Sequence, residues 1–452
     1  MKTKPLHLIV GLGPTGLAVA KYLSQLGRPF AAMDSRKQPP GSADFQRLYP
    51  NAICHLGGFD QALALQATQL VMSPGVSIQE PVIQAAIHAG IEVIGDIELF
   101  ARAVKAPVIG ITGSNGKSTV TQLLGEMLKT AGYHVLVGGN IGTQALALLE
   151  EPVPEVYVLE LSSFQLETIS HLALVSGVVT NITEDHLDRY HGQMSLYTKA
   201  KLRIFANCRV PVLPLYAAFN PLVLQHYPQE AELYFGLEAP KNNRTFGVIQ
   251  YQAEDWLALG EKPIFPVKNM RLKAPHDIAN ALAALALGYA FGADLHKMVV
   301  RLAEFSGLDH RCQLVAEYLH IKWINDSKGT NVGATITAIE SVAKTIDGKI
   351  VLIAGGQTKG ANLSPLSQTI KHNVRSTLLI GEDAEKIADV LLDNYHYCQT
   401  MQEAIHQAAQ IAKPGDAVLL SPAAASFDMF DNFSHRGDVF TEAVKAYVKG
   451  QS

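Results

Sequence analysis

Two glycine turns constrain this chain more than any other feature: GLGPTG at Gly11–Gly16 and GITGSNGKST at Gly110–Thr119 each lie between a short apolar run and an amphipathic one. A strand that turns at once into a helix returns by a strand parallel to the first, so such units build parallel sheets covered on both faces. The first unit reads as a strand to Val10, a helix carrying Leu17, Val19 and Leu23, and a second strand reaching Asp34. After the Ala106-Pro107 break, VIGI reads as a strand. Val120, Leu123, Leu124, Met127 and Leu128 then follow the spacing of one helix face.

A third run opens after GLDHR, with the strand HIKWIN, a helix from about Asn331, and the strands KIVLIAGG, STLLIG and AVLLS. The stretch from Ala206 to Arg271 is punctuated by prolines and weakly periodic, which predicts peripheral strands and loops; HDIANALAALALGYAFGA then reads as a helix. The fold class is α/β throughout. At roughly 150 residues per domain, 452 residues predict about three domains, placed at 1–99, 100–305 and 306–452.

Composition works by exclusion. Charged residues make up 17%, below the roughly 25% usual in soluble domains, so most of the chain must fold. Lys plus Arg total 37 and Asp plus Glu 41, a net charge of −4 with no block of like charge, which argues against a general nucleic-acid or anionic-membrane binder. Cys54, Cys208, Cys312 and Cys398 form no CxxC pair, so neither a disulfide framework nor a thiolate zinc site is indicated. MKTKPLHLIVGLG shows no cleavage site, and no apolar stretch is long enough to span a bilayer. A monomeric cytoplasmic protein without membrane insertion is the expectation.

Gly11, Gly13 and Gly16, with Asp34 ending the next strand, approach the dinucleotide-binding fingerprint, which taken alone indicates an NAD-dependent oxidoreductase. The same loop serves any nucleoside diphosphate, because what it offers is free N–H groups at a helix N-terminus. The second loop frames backbone amides between Gly113 and Gly116 and sets Lys117 to reach terminal phosphates, with Ser118 or Thr119 supplying a hydroxyl to Mg²⁺. Ile111 stands where the strict phosphate-loop pattern has its first glycine, so the loop is a variant. Two acidic stations follow: Glu160 closing VYVLEL, and EDHLD (Glu184–Asp188) around His186. Strand ends of an open α/β sheet are where ligands sit, and carboxylates there suit Mg²⁺ on ATP phosphates. His186 could equally be a helix-start residue. NDSKGTN, GGQTKGAN and SPAAASFDMFDNF are further polar strand ends; capping and turn chemistry explains each singly, but together with Lys328 and Lys359 they suggest an anion site.

TGSNGKST, LELSSFQLE, NITEDHLDRY, GLDHR, NDSKGTN, GGQTKGAN and SPAAASFDMFDNF, in this order, strongly resemble the cytoplasmic Mur ligases. The resemblance implies a Rossmann-like N-terminal domain for a UDP-sugar, a central P-loop ATPase domain with a mostly parallel sheet, and a Rossmann-like C-terminal domain carrying an amino acid. It implies peptidoglycan precursor synthesis with ATP and Mg²⁺. Within the family the motifs are most similar to the branch that joins D-glutamate to UDP-N-acetylmuramoyl-L-alanine through an acyl phosphate. Another Mur-type ligase or a folylpolyglutamate-type ligase shares the ATPase motifs, and the N-terminal glycine loop speaks against the folate enzyme.

By that likeness Pro14, Thr15, Asp34, Ser35, Arg36, Asn140 and His186 surround the UDP-substrate. Gly113, Ser114, Asn115, Gly116, Lys117, Ser118, Thr119, Asn280, Arg311 and Asp326 form the ATP site. Lys117, Glu160, His186 and Lys201 are the catalytic set, and Ser118, Glu160, His186 and Lys201 as its carbamate are metal-associated. A bare ammonium repels Mg²⁺, whereas a carbamate is an anionic oxygen ligand; Lys199 is the competing position. Lys328, Thr330, Lys359, Ser426 and Phe433 are implied for D-glutamate. Pro14, Asp277 and Asn362 depart from the family pattern, as does the stretch after Cys208.

Overall fold

A computed structural model describes residues 6–227, 232–391 and 393–450; Met1–Pro5, part of the leader reading above, lie outside them. Three sheets follow one another along the chain. The first comprises β1 (His7–Val10), β2 (Phe30–Asp34), β3 (Cys54–Leu56), β4 (Gln69–Met72) and β5 (Glu92–Gly95), all parallel in the order β3-β2-β1-β4-β5. Its central strands are buried on both faces, as helices on either side require.

The second sheet holds β6 (Val108–Thr112), β7 (Val135–Gly139), β8 (Val156–Glu160), β9 (Leu174–Val179), β10 (Cys208–Pro214), β11 (Leu233–Phe235), β12 (Thr245–Tyr251), β13 (Glu254–Leu259) and β14 (Lys262–Pro266). Its order is β14-β13-β12-β11-β10-β9-β6-β8-β7, with the pairs β12–β13 and β13–β14 antiparallel and the other pairs parallel. The helix Lys117–Thr130 buries Val120, Leu123, Leu124, Met127 and Leu128, the positions its periodicity picks out. The proline-punctuated stretch is thus an integral extension of this sheet. β10 tolerates Pro211 and Pro214 between two neighbours because β9 pairs over Cys208–Val212 and β11 only over Val212–Pro214, so most of the strand has a single partner.

The third sheet holds β15 (Gln313–Tyr318), β16 (Ile321–Asn325), β17 (Ile350–Gly355), β18 (Val374–Ile380), β19 (Tyr395–Tyr397) and β20 (Ala417–Leu420), in the order β15-β16-β20-β17-β18-β19. Only β15 runs antiparallel, a hairpin partner of β16. Asn331 caps the helix Val332–Ala343, accepting from Ala334 N at 2.9 Å. The four cysteines are free, and no described helix is long and apolar enough to cross a membrane.

Contacts divide the chain into two units: residues to 181 with 198–305, and 182–197 with those from 306 on. The segment carrying EDHLD therefore groups with the third sheet, because Asp185 accepts from Lys359 Nζ at 3.1 Å and Asn331 Nδ2 at 3.3 Å. In the first unit, polar contacts join the first two sheets. Glu98, fully buried, accepts from Ser170 N, His171 N and Arg102 Nε, while Gln165 Nε2 donates to Asp96 Oδ2 at 3.3 Å.

Burial pushes the Asp96 carboxyl up to about 6, against the hydrogen bonds that favour its ionised form. Since the folded value lies above the unfolded one, the native protein retains a proton that the unfolded chain has lost between about pH 4 and 6. The associated stability is complete below that window and lost as pH rises through it. Asp96→Asn should raise the unfolding free energy at pH 8, by on the order of 2 kcal/mol, and leave it unchanged near pH 4. Thermal or urea unfolding at the two pH values tests this.

Candidate functional site

The phosphate loop leaves β6 at the point where successive connections part to opposite sides, β6 to β7 on one and β8 to β9 on the other, which is where an open α/β sheet opens a crevice. Its glycines are dictated by close approach. Gly113 has φ +151°, and a Cβ there would stand 1.9 Å from Thr180 Oγ1; Gly116 has φ +81°, and its Cβ would stand 2.6 Å from Asn280 Oδ1. The end of β9 holds the loop: Ser114 N and Asn115 N donate to Asn181 O and Oδ1, each at 2.9 Å, and Thr180 Oγ1 donates to Asn115 O at 2.6 Å.

Lys117 Nζ folds over this loop, donating to Gly113 O and Ser114 O at 2.8 Å each. Ser118 and Thr119 are buried in the first turn of the helix, at an N-terminus whose N–H groups favour anions. Lys201 is 2% exposed and also donates to Gly113 O, at 2.7 Å, whereas Lys199 is exposed. Glu160 ends β8, paired with Ile111 of β6, and is 1% exposed. Its Oε1 accepts from Asn140 Nδ2 at 2.8 Å, so the Asn140 amide is engaged with this carboxylate. The structure thus gathers Gly113–Thr119, Glu160, Lys201 and Asn280 around one loop.

At the first glycine loop, a Cβ on Gly16 would meet Gly11 O at 2.1 Å, which fixes the third glycine by helix–strand packing. Asp34 is spent within its own turn, accepting from Leu12 N at 2.7 Å, Arg36 N and Nε at 2.9 Å and Arg36 Nη2 at 2.7 Å. Burial works to raise its pKa, but the Arg36 guanidinium and the two backbone N–H groups outweigh burial and hold it below the ordinary carboxylate range. A dinucleotide site needs that carboxylate for ribose hydroxyls. Here Arg36, with its side chain half exposed, is the group on offer, next to exposed Ser35 and Pro14. Thr15 Oγ1 donates to Gln144 Oε1 at 3.3 Å.

The second unit carries the remaining positions. Asp326 follows β16 and accepts from Ser421 Oγ at 2.7 Å and Cys312 N at 3.2 Å. Burial pushes its carboxyl up to about 6, opposed by the Ser421 hydroxyl and the charge of Arg311. Lys328 Nζ lies 3.8 Å from the centroid of the Phe433 ring, a cation–π pair. Thr330 N donates to Lys328 O at 2.8 Å, Lys359 pairs with Asp185, and Ser426 is buried. His186 stands at φ +55° with its N–H donated to Asp185 Oδ1 at 3.0 Å, so it is a turn residue and not a helix start.

Family models match along most of the chain: the Mur ligase MurD-like N-terminal domain at residues 6–95, the Mur ligase middle domain at 111–288, and the Mur ligase glutamate ligase domain at 310–424. The chain is 49% identical over 440 residues to the UDP-N-acetylmuramoylalanine--D-glutamate ligase of Nitrosococcus oceani, covering 97% of this chain and 96% of that one. The chain belongs to the Mur ligase family. To the ligase of the same name in Coxiella burnetii this Mur ligase is 46% identical over 449 residues, covering 99% and 100%. Among solved structures, a UDP-N-acetylmuramate-alanine ligase from Thermotoga maritima superposes with TM-score 0.61 at 17% identity, covering 98% of this chain and all of that one. A pseudomurein peptide ligase from Methanothermus fervidus gives TM-score 0.61 at 18% identity, with the same coverage. These two share its fold of three α/β domains.

Sequence reasoning took in Asp185 and Ser327 only as members of EDHLD and NDSKGTN, and missed Arg436. Asp185 and Lys359 pair across 174 positions, which no local pattern reveals. Arg436 lies in the amphipathic stretch FSHRGDVF, where an arginine reads as solvated, yet it is 1% exposed. Burial pulls its pKa down to about 10, with Asp428 and Asp326 opposing.

Proposed function

We propose that this Mur ligase joins D-glutamate to UDP-N-acetylmuramoyl-L-alanine at the expense of ATP, a step of peptidoglycan precursor synthesis in the cytoplasm. The observation that carries this reading is the 49% identity, over nearly the whole of both chains, to a ligase of that name. A carboxylate is a poor acylating agent, so the alanyl carboxylate first takes the terminal phosphoryl group of ATP, releasing ADP. The amine of D-glutamate then adds to the acyl phosphate carbonyl, loses a proton, and expels phosphate.

In this reading the loop amides and Lys117 hold the ATP phosphates and bear the charge that develops as the phosphoryl group moves. Asn280 and Thr119 line the loop. Arg36, steered by Asp34, receives the uridine diphosphate with Thr15, Ser35 and Asn140. Lys328, Thr330, Lys359, Ser426 and Phe433 receive D-glutamate, the lysines matching its two carboxylates.

The donors also fit Mg²⁺. Ser118, in the first turn of the helix that follows β6, and Glu160, at the end of β8, are buried hard oxygen ligands, and Lys201 becomes a third as its carbamate. Bound Mg²⁺ would neutralise phosphate charge.

The test is phosphate release from Mg-ATP and UDP-N-acetylmuramoyl-L-alanine with each of D-glutamate, L-glutamate, L-lysine and meso-diaminopimelate. Release is expected with D-glutamate alone. Release with another acceptor reassigns the amino acid, and NADH binding without ATP turnover would overturn the ligase reading.

A further inference from the structure

Arg436 has no part in the reaction as described, yet its side chain is among the largest that the fold buries completely. A guanidinium withdrawn from water is costly unless its donors are satisfied. Here they go to neutral oxygens: Nε to Ser327 Oγ at 3.0 Å, Nη2 to Ser327 O at 2.9 Å and Ala424 O at 3.1 Å, and Nη1 to Ala424 O at 3.2 Å and Gly355 O at 3.4 Å.

These oxygens belong to three loops, at the C-terminal ends of β16, β20 and β17, and each loop bears candidate D-glutamate residues. Ser327 immediately precedes Lys328 and lies close to Thr330, Gly355 opens the loop to Lys359, and Ala424 lies two positions before Ser426. Ser327 Oγ also donates to Phe433 O at 2.7 Å, so the ring beneath Lys328 hangs on the same tie. Asp326 is anchored elsewhere, through its own N–H to Leu420 O at 2.7 Å and through Ser421 and Cys312.

We propose that Arg436 is the positioning residue of the amino-acid acceptor pocket, its planar fork setting three loops in the register that lets their side chains converge on D-glutamate. This rests on the ligase reading above and deepens it. A lysine keeps the charge but has one compact ammonium that cannot span three loops, so charge and fork are separable.

The experiment measures kcat and the KM of each substrate for the wild-type chain, Arg436→Lys and Arg436→Met, with melting curves for all three. Both variants should raise the KM for D-glutamate by about 10- to 100-fold, the loss of one or more charge-assisted hydrogen bonds, while KM for ATP and UDP-N-acetylmuramoyl-L-alanine stays within about threefold. Unchanged KM values, or equal rises for all three substrates, overturn the proposal. A fall in kcat alone that tracks a lowered melting temperature means a structural role only and overturns it too. Should Arg436→Met fail to melt cooperatively, Arg436→Lys decides. The wild-type control keeps the two readings apart: an acceptor other than D-glutamate defeats the D-glutamate reading alone, and the KM comparison is then made with that acceptor.

Discussion

On the proposed reading, in which its ammonium bears phosphate charge, Lys117→Met should lower kcat by about a thousandfold while leaving the fold intact. Its ammonium is held over the loop by Gly113 O and Ser114 O, each at 2.8 Å, and Gly113 O keeps its bond from Lys201 Nζ at 2.7 Å once it is gone. Methionine keeps the helix propensity of the position, so the melting temperature should barely move. A point charge at that spot draws electron density from the bridging oxygen as the terminal phosphoryl group departs, and methionine offers none. Lys117→Arg keeps the charge but presents a wider fork to two carbonyls spaced for an ammonium, and should recover little. Steady-state phosphate release, with ATP binding measured separately, checks this; more than about a tenth of wild-type turnover in Lys117→Met would remove the lysine from the chemical step.

The second large effect concerns Lys201. An amine 2% exposed and bonded to the carbonyl of Gly113 at 2.7 Å is an awkward neighbour for a cation, and a carbamate on the same nitrogen turns that liability into an anionic ligand. Lys201→Ala and Lys201→Arg should each lose about two to three orders of magnitude in kcat, since neither can add CO₂. Activity of the wild-type chain should fall in CO₂-depleted buffer and return on adding bicarbonate. Near-wild-type activity in Lys201→Arg would make the residue a tether for Gly113 and refute the carbamate.

The fold was legible wherever one periodicity dominated. Val120 to Leu128 mark a helix because each apolar position meets the sheet, and the glycine turns mark strand ends because only glycine admits the approaches seen at Gly16 and Gly113. The antiparallel run β12–β14 was obscure because half-exposed edge strands carry weak alternation, and β10 because its prolines imitate a loop. At the site, the order of polar strand ends located the loops, but not which side chain each one holds. Asp34 ends its strand as a nucleotide-binding acid would, and spends itself on Arg36; Asn140 spends its amide on Glu160. The second partnership joins the ends of two different strands, and a linear reading has no access to it; the first is local, two positions apart in one turn, but the sequence does not say that it outcompetes a ligand. Arg436 is the extreme case, a charge hidden in a stretch whose pattern announces a wet surface.

The 1.9 Å that a Cβ at Gly113 would leave to Thr180 Oγ1, and the 2.6 Å at Gly116 to Asn280 Oδ1, bear on how this loop can drift over generations. Neither glycine is free to change by itself. Even a smaller residue at 180 would relieve the collision at 113 without relieving a backbone angle of +151°. The four positions, two of them in this loop and two at 180 and 280, are therefore sterically coupled, and a loop transplanted without Thr180 and Asn280 would arrive without the walls that shape it.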